Sequence, residues 1–573
     1  MNALTFSTAI YSGRVQLVTI RQRSLTVARL RVLLVAASFA LLATMAVLRI
    51  GYLGLTDAAH SATSFEEALL PPRGEITDRN GQPLARAFPA FALWYNPDAL
   101  GGGTALVKSP KEVALELKAI FPDIDEFELT ERLAKGKAGY LRRRVLPEDA
   151  NRVQAIGELA LELPQETDRY YPQGSMGAHV LGYVGADGHG RVGMEAVLDK
   201  QLRDPATRMH SVPLSIDVRV QGALEDELTR GMRATNAQGS AGIVLDVDTG
   251  EVLALASLPE FDPNRIDEAG ARNMFNRVTN QVYELGSTFK PLTVASAIDA
   301  GTVTDLSRRY SALPFRQSGF TLKDSHDLGA SLNVPEMLIH SSNVVTAHVV
   351  SDLGPARLKK TLADLHMNDR PEIELPAKGF PIWHSGEWPI LRAMTVGYGH
   401  GIAVTPLHLA NAYAAMVNGG IYRPATLRKL APGDVPAGRR VFKASTSARM
   451  NQLLRMIAVY GTGRKANAPG FRVGGKTGSA DKPSGGGYNH SSVVATFAAA
   501  FPMDRPRYVV IAMLDDPKGT VASSFQRTAA WNAAPVVGRL VPRIGPVLGV
   551  VPDSTRDVDL TDLAPLVPKG GGE

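Results

Sequence analysis

An uncharged stretch near the N-terminus, residues 32–48, imposes the strongest constraint on how this chain can fold. Its seventeen residues are about the minimum for a helix that crosses the hydrocarbon core of a bilayer. The preceding residues 1–31 carry five arginines and no acidic side chain. Because positively charged flanks remain in the cytoplasm, we expect a basic cytoplasmic tail over 1–31, a transmembrane anchor over 32–53 and the rest of the chain outside. The alternative is a cleaved signal peptide, whose charged segment would be unusually long.

The composition limits the classes of function that remain. The chain has 573 residues, enough for roughly three or four domains, and 45% of them are hydrophobic, so large cores are expected. No cysteine is present, which excludes disulfides and cysteine-ligated zinc. The net charge is +6, but the arginines of the N-terminal tail supply most of it, and no basic patch interleaved with aromatic residues follows. We therefore expect no nucleic-acid partner, no metal and no cofactor.

Residues 54–213 predict a domain with no concentrated set of catalytic side chains. Asn80-Gly81 is a strong hairpin signal, and residues 107–165 alternate apolar and charged positions at helical spacing. We interpret this part as an elongated pedestal that serves as a scaffold or interaction domain.

Residues 214–550 predict a second domain built around one sheet. Residues 241–257 have the pattern of a β-hairpin, and a mostly helical region separates them from three later strand candidates, at 471–479, 493–501 and 508–516. Strands from both ends of this domain would form one antiparallel sheet of about five strands with helices packed on it. The whole chain is thus expected to have an α+β multidomain architecture, ending in a flexible C-terminal tail over 551–573.

The stretch ELGSTFKP, residues 284–291, carries the first candidate for chemistry. Pro291 is tolerated only in the first turn of a helix, which places the helix start near Ser287 and puts Lys290 on the same face. The positive end of the helix dipole would favour an oxyanion and a neutral lysine. Alone the pattern is weak, because a helix cap explains Ser287 equally well and Ser479 and Lys482 repeat the spacing.

Two further motifs follow in the same domain. Ser341-Ser342-Asn343 lies between two helix-like segments, where a loop can present a hydroxyl and an amide to a cleft. The competing match at 331–333 is interpreted as a helix entry with Asn333 at or near the cap, because the proline that follows suits a first turn. The alternative interpretation of residues 341–343 is likewise a helix cap with no catalytic role.

The third motif is Lys476-Thr477-Gly478 on an apolar strand. Lysine and glycine are unfavourable inside a strand unless something approaches the backbone closely. An edge-strand lysine that hinders aggregation is the alternative. The three motifs in this order within one domain indicate a single active site with a nucleophilic serine.

Ser-x-x-Lys, Ser-Asp-Asn and Lys-Thr-Gly characterise penicillin-binding proteins and class A β-lactamases. The chain resembles a class B penicillin-binding protein, most closely the division-specific FtsI type, from about residue 32 to residue 550. The resemblance also rests on RGEITDRNGQPLA (73–85), LDVDTGEVLALASLPEFDPN (245–264) and GYGHGIAVTPLHLANAYAAMVNGG (397–420). It departs where the usual Glu-Pro-Gly-Ser reads Glu-Leu-Gly-Ser and where Ser479 replaces a usual threonine.

The resemblance implies a transpeptidase domain of the penicillin-binding/β-lactamase-like fold that cross-links peptidoglycan stem peptides at the division septum and is acylated by β-lactams. It also implies an inner-membrane protein with one span, a periplasmic catalytic domain, and a SEDS-type glycan polymerase and divisome membrane proteins as partners. The implied catalytic residues are Ser287 as nucleophile, Lys290 as base, Ser341 as proton relay, Asn343 and Lys476, with Thr477, Gly478 and Ser479 binding substrate.

Three alternatives remain at this point. A β-lactamase would need a glutamate for deacylation, but no Glu-x-x-x-Asn occurs between residues 343 and 476, and the pedestal would have no explanation. A non-catalytic septal scaffold is disfavoured by the intact motifs. An elongation-specific class B protein would share the chemistry and differ in its partners.

Overall fold

The computed structural model describes residues 29–49, 73–99, 106–185, 187–266, 268–485 and 487–567. Helix α1, Arg29–Arg49, is long and apolar enough to cross a membrane, and it is the one such helix among these residues. It begins three residues before the predicted anchor. Most of the predicted cytoplasmic tail, the end of the predicted anchor, the start of the pedestal and residues 568–573 lie outside the described residues.

The pedestal region is organised around β2, the longest of its strands. β2 pairs antiparallel with β1, β3, β4 and β5, and β1 pairs in parallel with β6. The elements in chain order are β1 Ile76–Thr77, β2 Pro83–Tyr95, α2 Pro110–Ile120, α3 Glu126–Ala134, β3 Gly139–Val145, α4 Pro147–Gln154, β4 Leu161–Glu162, β5 Gln165–Tyr170, α5 Ala178–Leu181, α6 Gly193–Val197, α7 Asp199–Arg203 and β6 Val212–Pro213.

A buried ion cluster ties Arg73, which precedes β1, and strand β5 to the helices α6 and α7. Glu195, which is fully buried, accepts hydrogen bonds from Arg73 and Arg169 at 2.8 and 2.6 Å. Arg73 also pairs with Asp199 at 2.7 Å. Removing one partner of such a buried pair leaves an uncompensated charge, so this cluster holds Arg73 against α6 and α7.

The second region contains the large sheet and most of the helices. Its elements in chain order are α8 Val218–Ala234, β7 Gly239–Asp246, β8 Val252–Leu258, α9 Glu268–Asn273, α10 Lys290–Asp299, β9 Tyr310–Ser311, β10 Phe315–Gln317, β11 Phe320–Leu322, β12 Ser331–Leu332, α11 Val334–His340, α12 Asn343–Leu353, α13 Pro355–Asp364, α14 Ile390–Gly397, α15 Pro406–Val417, β13 Ile421–Tyr422, β14 Arg439–Arg440, α16 Ala444–Tyr460, β15 Gly474–Ser484, β16 Gly487–Phe501, β17 Tyr508–Asp515 and α17 Ala533–Ile544.

The sheet has five antiparallel strands in the order β15-β16-β17-β7-β8, which confirms the prediction that strands from both ends of the domain join. Successive side chains of a strand point to opposite faces, so each strand serves two cores. Val244 and Val510 pack in the cluster that contains α8 and α17, whereas Ile243 and Ile511 pack with the helices on the other face. The motif residues lie on that second face and along the edge strand β15.

The C-terminal segment differs from the predicted flexible tail. Residues 551–567 pack along α16 and α11: the Asp557 carboxylate binds both Arg455 Nε and Nη2, and Asn333 donates to the Leu566 carbonyl at 2.7 Å. Leu563 is only 2% exposed. The segment carries few strand or helix signals, but its apolar and acidic side chains match a surface formed elsewhere in the chain.

We expect deletion of residues 551–573 to destabilise the catalytic region. Exposing the Leu563 site and removing the Asp557 partner of the buried Arg455 should cost about 3 kcal/mol. Thermal unfolding of the purified variant that lacks residues 551–573 should show a lower midpoint than that of a chain truncated after Val567. Equal midpoints for the two truncations would contradict this packing.

Candidate active site

Ser287 lies in a short 3₁₀-helix, Gly286–Phe289, that runs directly into α10. The missing N–H of Pro291 costs nothing in this first turn, so the predicted helix start is confirmed. Thr288 anchors the turn: its carbonyl accepts a hydrogen bond from Tyr413 Oη at 2.8 Å, and its hydroxyl donates to the Leu285 carbonyl. Ser287 itself is not a helix cap, and its side chain is half-buried.

Strand β15 approaches this turn with its backbone, which explains its glycine. A Cβ on Gly478 would lie 2.3 Å from the Leu285 carbonyl oxygen and 2.8 Å from Thr288 Cγ2. A Cβ on Gly286, whose φ is +54°, would lie 3.0 Å from the Ser479 carbonyl oxygen. The first and third motifs are therefore in backbone contact, and the expected close approach to Gly478 is confirmed.

Ser341 joins the two lysines of the site. Lys290 Nζ donates to the Ser341 carbonyl and lies 3.1 Å from Ser341 Oγ, while Lys476 Nζ lies 2.9 Å from the same hydroxyl. Both lysine side chains are fully buried. Lys476 also contacts the Thr477 carbonyl and hydroxyl at 3.1 and 3.3 Å. One hydroxyl thus connects all three motifs.

The second motif is positioned by the ends of two helices. Ser341 closes α11 in the left-handed region with φ of 61°, and Ser342 caps α12 by accepting from the Val345 N–H. Asp324 completes this cap, since its carboxylate accepts from Ser342 Oγ at 2.6 Å and from the Asn343 and Val344 N–H groups. The sequence interpretation missed Asp324, which lies in a loop before β12.

The competing matches have structural roles. Lys482 forms an ion pair with Asp515 at 2.7 Å at the far end of β15. The Ser479–Lys482 spacing therefore has a structural explanation. Asn333 is a helix cap with a reciprocal contact to Glu336, as the sequence indicated.

The remaining predicted residues make other hydrogen bonds in the same region. Among the described residues, Ser287 Oγ has no hydrogen-bond partner, and the Asn343 side chain makes no hydrogen bond to Lys290. The Lys290 amine is hydrogen-bonded to Ser341 instead. Thr477 Oγ1 lies 2.8 Å from Thr462 Oγ1. Ser479 Oγ accepts from the Ala529 N–H at 2.9 Å, which connects β15 to the segment before α17.

Burial sets the charge state of the two lysines. Desolvation lowers the pKa of Lys290 well below its usual range, and the neighbouring Lys476 lowers this pKa further, opposed by Asp324. Desolvation also lowers the pKa of Lys476, to about 7. The geometry therefore favours a neutral Lys290 beside a Lys476 that can still carry charge.

Glu284 and Tyr488 form a second polar contact beside the nucleophile turn, which was not found from the sequence. Glu284 accepts from Tyr488 Oη at 3.0 Å and from the Gly401 N–H at 2.9 Å. The ring of His400 lies 6.0 Å from that of Tyr488, and burial lowers the His400 pKa. Within the described part of the chain, His400 Nδ1 has no hydrogen-bond partner. Glu284 and Tyr488 are 204 residues apart in sequence, so no local pattern predicts their contact.

Comparison with known families assigns both regions. Residues 240–537 match the penicillin-binding protein transpeptidase domain, and residues 68–208 match the penicillin-binding protein dimerisation domain. The first match spans the sheet, the nucleophile turn and all three motifs.

Individual relatives extend over most of the chain. It is 36% identical over 532 residues to the probable peptidoglycan D,D-transpeptidase FtsI of Caulobacter vibrioides, covering 91% of this chain and 89% of that protein. It is 30% identical over 516 residues to the peptidoglycan D,D-transpeptidase FtsI of Escherichia coli K12, covering 85% of each.

Solved structures share the fold. Penicillin-binding protein 3 of Mycobacterium tuberculosis in complex with aztreonam aligns with a TM-score of 0.66 at 23% identity, over 85% of this chain and 98% of that one. A peptidoglycan synthetase from Bifidobacterium adolescentis aligns with a TM-score of 0.65 at 22% identity, over 85% of this chain and 97% of that one. The two matched domains, the full-length relatives and the shared fold show that this chain belongs to the class B penicillin-binding proteins of the FtsI type.

Proposed function

We propose that this protein is a serine-type peptidoglycan D,D-transpeptidase that cross-links stem peptides at the division septum. The observation that carries the proposal is the continuous contact from Lys290 through Ser341 to Lys476, beside the turn that holds Ser287. It supplies a nucleophile, a neutral amine and a cation in one buried site.

In the acylation step, Ser287 Oγ attacks the carbonyl carbon of the penultimate D-Ala while Lys290 Nζ takes the hydroxyl proton. The depressed pKa of Lys290 keeps its lone pair available, since a protonated amine could not act as the base. The N–H groups of Ser287 and Ser479 donate to the developing oxyanion, a role that the backbone contact between the turn and β15 supports.

Collapse of the intermediate breaks the peptide bond, and the terminal D-Ala amine leaves with a proton. Ser341 relays that proton from Lys290, with which its hydroxyl is in contact. The terminal carboxylate is bound by Lys476, Thr477 and Ser479. Because Gly478 has no side chain, β15 can approach the turn closely. Asn343 holds the substrate amide. An amine from a second stem peptide then attacks the acyl-enzyme, and β-lactams acylate the same serine.

Helix α1 and the FtsI relatives indicate a single-pass membrane protein. We place its N-terminus in the cytoplasm and its catalytic domain in the periplasm of the inner membrane, as the arginines before α1 favour. A SEDS-type glycan polymerase and divisome membrane proteins would meet the anchor and the pedestal. The FtsI relatives favour this division role over elongation, and the assembled site favours catalysis over a scaffold role.

A label-and-chase experiment tests the proposal against a β-lactamase. Membranes containing the protein are incubated with a fluorescent penicillin, chased with unlabelled drug and run on a denaturing gel. A transpeptidase should keep the label through the chase, because its acyl-enzyme hydrolyses slowly. Label that is lost within seconds would indicate β-lactamase activity, and no label in the active protein would refute the proposal.

Replacing Ser479 by alanine should weaken acylation only modestly, by about fivefold to tenfold. The substitution removes one hydroxyl from the carboxylate site and leaves the buried Ala529 N–H without its acceptor. The second-order rate constant of penicillin acylation measures the effect. Ser479→Thr keeps the hydroxyl and should retain most of the rate, whereas an Ala variant as inactive as one lacking Ser287 would contradict this role.

The acylation rate should fall as the pH rises through about 7. Lys476 has a pKa of about 7, so raising the pH removes the cation that would bind the substrate carboxylate. At lower pH the rate should fall again when Lys290 becomes protonated. A pH series of acylation rate constants tests this, and a rate that does not decline between pH 7 and 9 would contradict the role of Lys476. In a Lys476→Arg variant the decline should be absent, because arginine keeps its charge.

A further inference from the structure

A cavity of about 610 Å³ opens on the Asn343 side of the site. Its walls come from β11 and the residue after it, from α14, and from the segment that follows α14. Phe320, Leu391 and Tyr398 give it apolar walls, and Asn343 forms part of its lining.

The cavity is continuous with the elements that hold the nucleophile. The segment after α14 contacts the nucleophile turn, since the Gly286 N–H donates to the Gly399 carbonyl at 3.1 Å. On the opposite wall, Lys323 immediately precedes Asp324, whose carboxylate caps α12 and binds the Asn343 N–H. A ligand in the cavity would therefore lie beside Asn343 and beside the segment that is hydrogen-bonded to the nucleophile turn.

Among the residues that the structure describes, two cations and no acidic side chain line this cavity. Lys323 and Arg392 are both exposed, and neither ammonium nor guanidinium has an ion-pair partner among the residues that the structure describes. An apolar cavity with two uncompensated cations at its surface is suited to a ligand with a hydrocarbon body and an anionic end.

The orientation of the bound donor peptide determines which part of that peptide reaches the cavity. If the terminal carboxylate of the donor binds Lys476 and Thr477 on β15, the acyl portion leaves Ser287 past Asn343, toward the cavity. We infer that Lys323 and Arg392 form a specificity subsite for a carboxylate carried by the donor stem peptide upstream of its two terminal D-Ala residues. This inference rests on the proposed transpeptidase function.

Two matched penicillins test the subsite. In one, 6-aminopenicillanic acid carries an adipoyl side chain with a free carboxylate; in the other, that carboxylate is the amide. The wild-type protein should be acylated several-fold faster by the acid. Lys323→Met and Arg392→Met should each reduce the acid-to-amide rate ratio by about threefold, the range of an exposed ion pair, and the double variant should bring it near one. Higher salt should reduce the ratio in the wild type.

Lys137→Met is the matched control, because Lys137 is an exposed lysine of the pedestal outside the cavity, and its ratio should equal that of the wild type. Because the readout is the ratio of two acylation rates in the same variant, a general loss of acylation or of folded protein cancels. A wild-type ratio near one, or a ratio that the double variant leaves unchanged, would overturn the subsite. Failure of both penicillins to acylate the wild type would instead refute the proposed function.

Discussion

Replacing Ser287 by alanine should abolish covalent capture of penicillin. The substitution removes the only atom of the 3₁₀-helix Gly286–Phe289 that we propose as the nucleophile, and no acyl bond can then form. Residual turnover of a peptide donor should fall by about 10⁶-fold, the loss typical for a nucleophile of this kind. Fluorescent penicillin labelling on a denaturing gel measures the first effect directly.

Ser296→Ala is the control for this variant. Ser296 lies on α10, and its hydroxyl bonds to the Leu292 carbonyl within the same helix, so its loss should leave labelling intact. Undiminished labelling of the Ser287 variant would show that another residue is acylated.

Replacing Lys290 by arginine should reduce acylation about a thousandfold. A guanidinium stays protonated at any accessible pH, so it cannot take the Ser287 proton, and a general base contributes about this factor. The stopped-flow rate constant of penicillin acylation measures the loss. A second readout is the pH profile: the decline at low pH should disappear, since no titrating base remains.

Lys482→Arg supplies the matched comparison for this prediction. Lys482 has the same sequence relation to Ser479 that Lys290 has to Ser287, but it forms an ion pair with Asp515. Arginine can keep that pair, so the rate should change little. Equal losses in both variants would mean that lysine-to-arginine changes disturb the domain in general, and the role of Lys290 as base would lose its support.

The sequence predicted the local parts of the site well, because each motif sets its own backbone. Pro291 indicated where the helix starts, and the proline after Asn333 separated a true cap from the motif at 341–343. Glycine inside the strand indicated the close approach at Gly478. The hairpin and the late strands were recognisable by their apolar runs, so the sequence predicted which segments form the sheet.

Contacts between distant residues were not predictable in the same way. Asp324 caps α12 from a loop, Glu284 binds Tyr488 across 204 residues, and Ser479 binds the Ala529 N–H. None of these pairs has a spacing or a periodicity, because tertiary packing alone brings them together. The same reason explains the C-terminal segment, whose order depends on Arg455 and on a surface built by other helices.

The acylated residue itself is the most direct measurement of the central claim. The purified protein is incubated with a stem-peptide thioester, quenched in acid and digested with trypsin, and the peptides are identified by mass spectrometry. The account predicts the acyl mass on the peptide of residues 278–308, which contains Ser287, and loss of that mass when an amine acceptor is added. An acyl group on any other peptide, or an unmodified 278–308 peptide while the thioester is consumed, would contradict it.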